Sequence, residues 1–442
     1  KIGIDSFQIR PIATQGESKG AVIANMIGTG VFTSLGFQLR DIQSGFVILA
    51  LWAVGGITAL CGALTYAELG AALPRSGGEY NFLTRIYHPS IGFISGWISA
   101  TIGFAAPVAL AAITFGSYLS SAIPGLSPTW LAVGLILVVT VAHTGKRQRS
   151  SNFQSVFTAV KISLIVGFCL LCGFMVETPQ TLSFLPKSGD GTLLMGSAFA
   201  VSLIYVNYAY TGWNSVTYLI SEVDDAQKNL PKILVTSTAI VMLLYVSLNF
   251  IFLYVAPISA LEGKVEVGYI AAQHVFGDAG ASAISFVLSL LLISTVSAMT
   301  IAGPRVLQVI GEDFVVFRRL SRRNADGIPS LAILVQSGIA LIFVVTSSFE
   351  SILLFSGFIL GLNTLFAVGG LFVLRWRHPD LPRPYRTWLY PFPPLIFMTL
   401  MIWTLVYTVK SQPKEAWLAM GIIAIGAVAY RVARRFETKS PQ

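Results

Sequence analysis

The sequence predicts an all-α integral membrane protein of twelve transmembrane helices. Three observations carry this: very few charges, a series of long apolar runs, and a one-sided distribution of Lys and Arg. Of 442 residues, 11% are charged and 54% hydrophobic, against about 25% charged in soluble domains. Mean hydropathy is +0.73. So few charges cannot cover a soluble protein of this size. The same figures exclude disordered, collagen-like and disulfide-scaffold chains. A hydrocarbon core of about 30 Å needs roughly 20 apolar residues to cross it. Twelve runs answer to that description, at 19–40, 45–70, 90–122, 128–146, 152–176, 192–221, 232–257, 279–311, 330–348, 350–376, 389–410 and 415–435. The alternation of a membrane barrel is absent from them.

Net charge is +9. With the N-terminus inside and the runs alternating, 23 basic residues fall on the cytoplasmic side and 5 on the other, with Lys161 on neither. Basic residues collect in cytoplasmic loops, so both termini are expected in the cytoplasm of a cell membrane, plasma or bacterial inner. The charge is therefore assigned to topology and the lipid bilayer, and nucleic acid is not expected as a partner. The polar start, with Asp5, Arg10 and Glu17, does not read as a signal peptide. Cys61, Cys169 and Cys172 lie inside apolar runs without polar access or partner ligands. They read as packing residues rather than a redox or metal site.

The first run carries Met26-Ile27-Gly28-Thr29-Gly30-Val31-Phe32 and the sixth Tyr208-Ala209-Tyr210-Thr211-Gly212-Trp213-Asn214. Gly weakens a helix interior by about 1 kcal/mol. Glycines also serve membrane helices as packing residues, but the placement of these two argues for more. Each opens a group of five runs, and the third and eighth runs are both long and carry a proline, Pro107 and Pro304. Paired interrupted helices in two halves point to an inverted-repeat transporter. The expected organisation is a first repeat over 19–176, a second over 192–376, and two extra spans over 389–435.

Unwound backbone inside a bilayer is tolerated where it lines a cavity or is buried in protein. A half-helix start offers free N–H groups and a half-helix end free C=O groups. The first attract a carboxylate and the second an ammonium. Both together suit a zwitterionic amino acid, with no charged side chain needed near the breaks. Lys161 lies about nine residues into the fifth run, roughly 13 Å deep. A shallower lysine could snorkel. At this depth a charged group generally faces the protein interior and marks an ion or substrate pathway. Glu68 and Glu222 read as interface or loop residues at helix ends, and Arg305 as a cytoplasmic basic residue. The chain has no P-loop, no dinucleotide fingerprint and no zincin motif, so neither a cofactor nor catalytic chemistry is expected.

These stretches resemble the amino acid–polyamine–organocation (APC) superfamily of LeuT-type fold. The resemblance rests on Met26–Phe32, Tyr66–Gly70 through Pro74–Tyr80, Ala209–Asn214 followed by Glu222, Gly303–Leu307, and Pro379–Arg386. It is nearest to the L-type amino acid transporter branch and its bacterial relatives. It implies a substrate site of Met26, Ile27, Gly28, Thr29, Gly30, Tyr208, Ala209, Thr211, Trp213 and Asn214. Within that site Thr29 and Gly30 would meet the carboxylate, and the carbonyls of Met26, Tyr208 and Thr211 the ammonium. Tyr208 would be an aromatic gate. Lys161 would stand near the place where sodium-coupled members hold an ion, touching spans one and eight, with Ser294 and Ser297 as hydroxyl neighbours. Members that join a heavy chain by disulfide carry a cysteine between spans three and four. Ser121–Pro128 holds none, so no such partner is expected. Where members for large substrates have Gly, this chain has Thr211.

The expected function is secondary transport of neutral L-amino acids, small to medium side chains favoured, as exchanger or proton-coupled symporter. A polyamine or cationic amino acid transporter of the same fold is the alternative. A non-transporting receptor or scaffold is the alternative from another class. The topology has a direct test: tags or single cysteines at either terminus, or in Arg318–Arg323, should react only from the cytoplasmic side. An extracellular or periplasmic C-terminus would mean the spans are miscounted.

Overall fold

The computed structural model describes residues 15–145, 151–223 and 225–437. Lys1, Arg10, Lys146, Arg147, Arg149 and Lys439, which enter the charge count, and the side chain of Glu222 lie outside the described residues.

The regular elements are helical. The first run is two helices, α1 (Gln15–Met26) and α2 (Gly30–Gln38), separated by an irregular turn at 27–29. Then come α3 (Gly45–Ala72), α4 (Glu79–Ile86), α5 (Pro89–Ile98), a π-helical turn (Ser99–Gly103), α6 (Ala105–Ala122), α7 (Pro128–Gly145) and α8 (Ser151–Met175). The next group is α9 (Asp190–Leu194), α10 (Ser197–Tyr210), a 3₁₀ segment (Ser215–Glu222), α11 (Ala226–Val255) and α12 (Ile258–Leu261). It continues with α13 (Val267–Ala302), α14 (Pro304–Asp313), a second 3₁₀ segment (Val315–Ser321), α15 (Ser330–Thr346), α16 (Phe349–Arg377), α17 (Phe392–Ser411) and α18 (Pro413–Glu437).

Local chemistry explains the ends. The Ser44 hydroxyl accepts from Val47 N at 3.3 Å at the start of α3, and Ser348 does the same for Ser351 N at 3.2 Å at the start of α16. Pro89 and Pro304 open α5 and α14, where the missing N–H costs nothing. Among the described residues nine segments are long and apolar enough to cross a membrane, and two further apolar helices, Pro128–Thr144 and Ser330–Thr346, are shorter. The sixth run is divided, its α-helical part only 14 residues long.

Three elements differ from the sequence expectation. α4 lies in a stretch read as a connection. The range of α13 holds two helices joined at Gly277, whose φ of +66° and ψ of −174° are non-helical: the long one starts next to the expected position 279, and the short one ahead of it, from Val267, is an element that Gln273 and His274 masked in the apolar signal. The third run is broken at Ser99–Gly103 rather than at Pro107, which sits in the first turn of α6. A single π turn inside an α-helix recurs at functional sites.

The interrupted helices occupy the middle. α1 packs on α11 and α8, α2 on α10 and α13, and α10 on α3, α16 and α17; α3 runs along α11, and α6 along α13. α18 lies outside, on α16 and α5.

One ionic cluster ties distant parts of the chain. Glu68 at the end of α3 is 0% exposed, so of its two expected readings the solvated interface does not hold and the loop contact does. Its Oε1 accepts from Arg375 Nε at 2.9 Å, and its Oε2 from Arg375 Nη2 at 2.7 Å and Thr387 N at 2.6 Å. Arg383 Nε lies 3.5 Å away, and the Arg375 guanidinium stacks over Tyr390 at 3.7 Å. Residues 379–390 are thereby fastened against α3. Removing one member of a buried ion pair costs about 3–5 kcal/mol, because the other charge is left unpaired. Glu68→Ala should therefore lower the thermal midpoint of the purified protein markedly at equal membrane insertion. An unchanged midpoint would mean that Arg375 and Arg383 find water.

Candidate functional site

The two breaks meet. At the first, Ile27 N still reaches Ile23 O at 2.8 Å, but Gly28 N turns back to Met26 O at 2.7 Å. α2 then starts without a side-chain cap at Thr29. At the second, α10 ends at Tyr210, Thr211 leaves the helix at ψ 140°, and Gly212 takes φ +110°. A Cβ on Gly30 would lie 2.6 Å from the Cα of Ala209, and one on Gly212 would lie 2.7 Å from Asn25 O. The two backbones touch, and only glycine permits it.

A residue outside both breaks joins them. Tyr245 of α11 is fully buried, and its hydroxyl lies 2.5 Å from Met26 O and 3.1 Å from Ala209 O. The carbonyl ends of both broken helices therefore converge on one phenol, which packs between Trp52 and Tyr210. The sequence offered no signal for this, since a tyrosine in a long apolar run reads as packing.

Beside the breaks lies a cavity of about 160 Å³. Met26, Gly28, Thr29, Gly30, Tyr208, Ala209, Thr211 and Asn214 all line it. Ile27 and Trp213, also expected there, are turned elsewhere. Ile27 borders a small cavity of about 10 Å³ beside Lys161, and Trp213 packs edge-on to Tyr66 at 4.7 Å. From the breaks the main cavity runs towards Ser76, Gly77 and Tyr80 at the α3–α4 end and towards Val306 and Val309 of α14. Two charged side chains line it, Glu79 and Arg305, so the expectation of a pocket without charges holds for the breaks but not for the whole cavity. A second cavity of about 50 Å³, with a mixed polar and apolar lining, lies behind Tyr208, Thr211 and Asn214, against Thr364 and Asn207.

The opposite end is closed. Phe37 of α2 stacks with Tyr205 at 6.1 Å and Phe349 at 5.8 Å. Arg40 Nη1 reaches Glu350 Oε2 at 2.7 Å, Tyr205 donates to Glu350 Oε1 at 2.9 Å, and Gly263 N donates to Gly36 O at 2.7 Å.

Lys161 of α8 is 6% exposed. Its Nζ donates to Ile27 O, in the first break, at 3.2 Å and to Thr295 Oγ1 of α13 at 2.8 Å. Ser294 and Ser297 are not its neighbours. Ser294 donates to Leu291 O at 2.7 Å, and Ser297 pairs with His143 at 2.8 Å. One residue is about 100° around a helix, so Thr295 faces the bundle centre where Ser294 and Ser297 turn away.

Residues 19–428 match the family model described as amino acid permease. The chain belongs to the amino acid permease family. This permease is a multi-pass membrane transporter and not an enzyme. Over 439 residues it is 27% identical to the mouse (Mus musculus) large neutral amino acids transporter small subunit 2, covering 93% of this chain and 78% of the relative. It is 28% identical to the mouse b(0,+)-type amino acid transporter 1, over 90% and 82% of the two chains. It is 26% identical to the human (Homo sapiens) Asc-type amino acid transporter 1, over 92% and 79%. Amino acid transport is the activity this family membership assigns to the permease.

Lys161 gives the site a test. Lys161→Ala removes the donor shared by the first break and α13. It should depress amino acid uptake strongly at equal expression. Uptake unchanged from wild type would mean that the ammonium only fills space. A pH-dependent rate that disappears in the variant would mark it as a proton carrier.

Proposed function

We propose that this permease is a secondary transporter of neutral L-amino acids, favouring small to medium side chains and working by alternating access. The carrying observation is the meeting of two broken helices at one cavity: the uncapped start of α2 faces the cavity close to the Met26, Tyr208 and Thr211 carbonyl ends. The N–H groups of Thr29 and Gly30 suit a carboxylate. A carbonyl has two lone pairs, so Tyr208 O, which accepts one backbone hydrogen, retains a direction for an ammonium, whereas Met26 O already accepts from Gly28 N and the Tyr245 hydroxyl and would meet the ammonium by giving up one of them. Tyr208 serves as the aromatic gate, and Lys161 holds the place of a coupling cation or carries a proton. We read the spans as two inverted repeats, 19–176 and 192–376, with 389–435 added. Both termini are assigned to the cytoplasm of a plasma or bacterial inner membrane. The α6–α7 connection contains no cysteine, which supports transport without a disulfide-linked partner.

A cationic substrate would need a carboxylate with spare capacity. Glu79 lines the cavity but already accepts from Tyr66, Asn214 and Tyr218, which favours the neutral reading.

Thr211 sets the size limit in this reading. It forms part of the partition between the main cavity and the smaller chamber behind it. Its hydroxyl donates to Asn207 O at 3.2 Å, and β-branching limits how far it can turn. One methylene in a packed pocket discriminates by about 10–200-fold. In proteoliposomes taking up labelled alanine, tryptophan should compete poorly with wild type and at least about tenfold better with Thr211→Gly. Wild type that accepts tryptophan as well as alanine overturns the size argument. Absence of uptake for every amino acid overturns the transport reading. Uptake only with amino acid loaded inside indicates an exchanger; uptake into empty vesicles under a proton gradient indicates a symporter.

A further inference from the structure

We infer that Glu79 is a proton-binding site coupled to the second helix break. Glu79 opens α4 and is 1% exposed. It belongs to no ion pair among the described residues. Its carboxylate is held by three donors, one from α3 and two from the segment that follows the second break. Oε1 accepts from the Tyr66 hydroxyl of α3 at 2.9 Å and from Asn214 Nδ2 at 2.5 Å, and Oε2 accepts from the Tyr218 hydroxyl of the 3₁₀ segment. Gly78 N adds a bond to Thr217 O at 3.2 Å. The segment that follows the second break is thus fastened to α4 chiefly through one carboxylate, which also lines the cavity.

The donor set fits both charge states. Ionised, the carboxylate takes all three hydrogen bonds in their charge-assisted form, about twice as strong as neutral ones. A proton from cavity water would sit on Oε2 and donate to the Tyr218 oxygen. The Tyr218 hydrogen would then turn into the cavity that Tyr218 lines. Oε1 would keep Tyr66 and Asn214, but as a neutral acceptor. Binding one proton therefore loosens the hold on Asn214 and reverses the bond to Tyr218. Other titratable or charged groups around Glu79 are few. Tyr80 is bonded to Asp313, Arg305 lies on the α14 wall of the same cavity, and on α16 Arg375 is committed to Glu68 and Arg377 to Ile86 O. α5 carries no ionisable residue, and His88 before it pairs with Ser90.

This inference deepens the transport reading, and its first test does not depend on it. Infrared difference spectra of the purified full chain in lipid nanodiscs, acid minus neutral, should contain a buried carboxylic C=O band that Glu79→Gln removes. Tyr218→Phe deletes one donor to the ionised form. It should move the midpoint of that band to higher pH by about one unit or more. A wild-type spectrum identical to that of Glu79→Gln, or a Tyr218→Phe midpoint that does not move, overturns the site. The second test reads coupling: labelled alanine uptake by wild type should vary with pH, and Glu79→Gln should flatten that profile. If Glu79→Gln keeps the wild-type profile, the coupling is wrong. A Tyr218→Phe variant slowed equally at every pH would reduce Glu79 to a brace. Wild-type vesicles that take up no amino acid at all sink the transport reading instead, and the spectral test still decides the proton site.

Discussion

Backbone that leaves its helix inside a bilayer has no water to satisfy it, so every group freed by a break must find a protein partner or a cavity. Here that constraint is met at one point. The carbonyl ends of α1 and α10 turn to the same buried phenol, Tyr245, and the two backbones close on each other through Gly30 and Gly212. Much of the site is fixed by that meeting. It sets the uncapped start of α2 towards the cavity, leaves Ile27 O for Lys161, and puts Asn214 within reach of Glu79.

The cavity is asymmetric because its two ends are built differently. At the α2–α16 end, the seal is aromatic stacking and backbone hydrogen bonding. The Arg40–Glu350 pair is largely exposed on its Arg40 side, so it adds little energy and mainly sets register. At the α3–α4 end, where the cavity runs between the turn before α4 and α14, the links are polar: Tyr80 donates to Asp313, with Arg75 3.7 Å from the same carboxylate. Alternating access would require the first set of contacts to part and the second to tighten, around breaks whose mutual contact stays intact.

Much of this was legible in the sequence, for a physical reason. Spans are written in local composition, and helix breaks in local propensity, so the runs and the segments 26–32 and 208–214 could be read directly. Residues whose role depends on a distant partner could not. Glu68 reads as a helix-end acid until Arg375 and Arg383 arrive beside it. Glu79 sits in a motif that looks like a loop, and its partners are 13, 135 and 139 residues away. Thr295 was missed for Ser294 and Ser297 because a uniformly apolar helix does not announce which face turns inward. The short helix between Val267 and Gly277 was hidden because Gln273 and His274 interrupt its apolar signal.

The Glu68 cluster has a consequence for the order in which the chain is made. The carboxylate is synthesised near the end of the second span, and its principal partner, Arg375, follows 307 residues later. At about 5–20 residues per second, roughly 15–60 s pass in which Glu68 has no cation to meet. It can wait because it stands at a helix end, where headgroups and water are within reach. Once α16 and the following loop arrive, the carboxylate is withdrawn from solvent altogether. The cluster therefore acts as a closing clasp, and this buried ion pair forms only after α16 and the loop that follows it have been made.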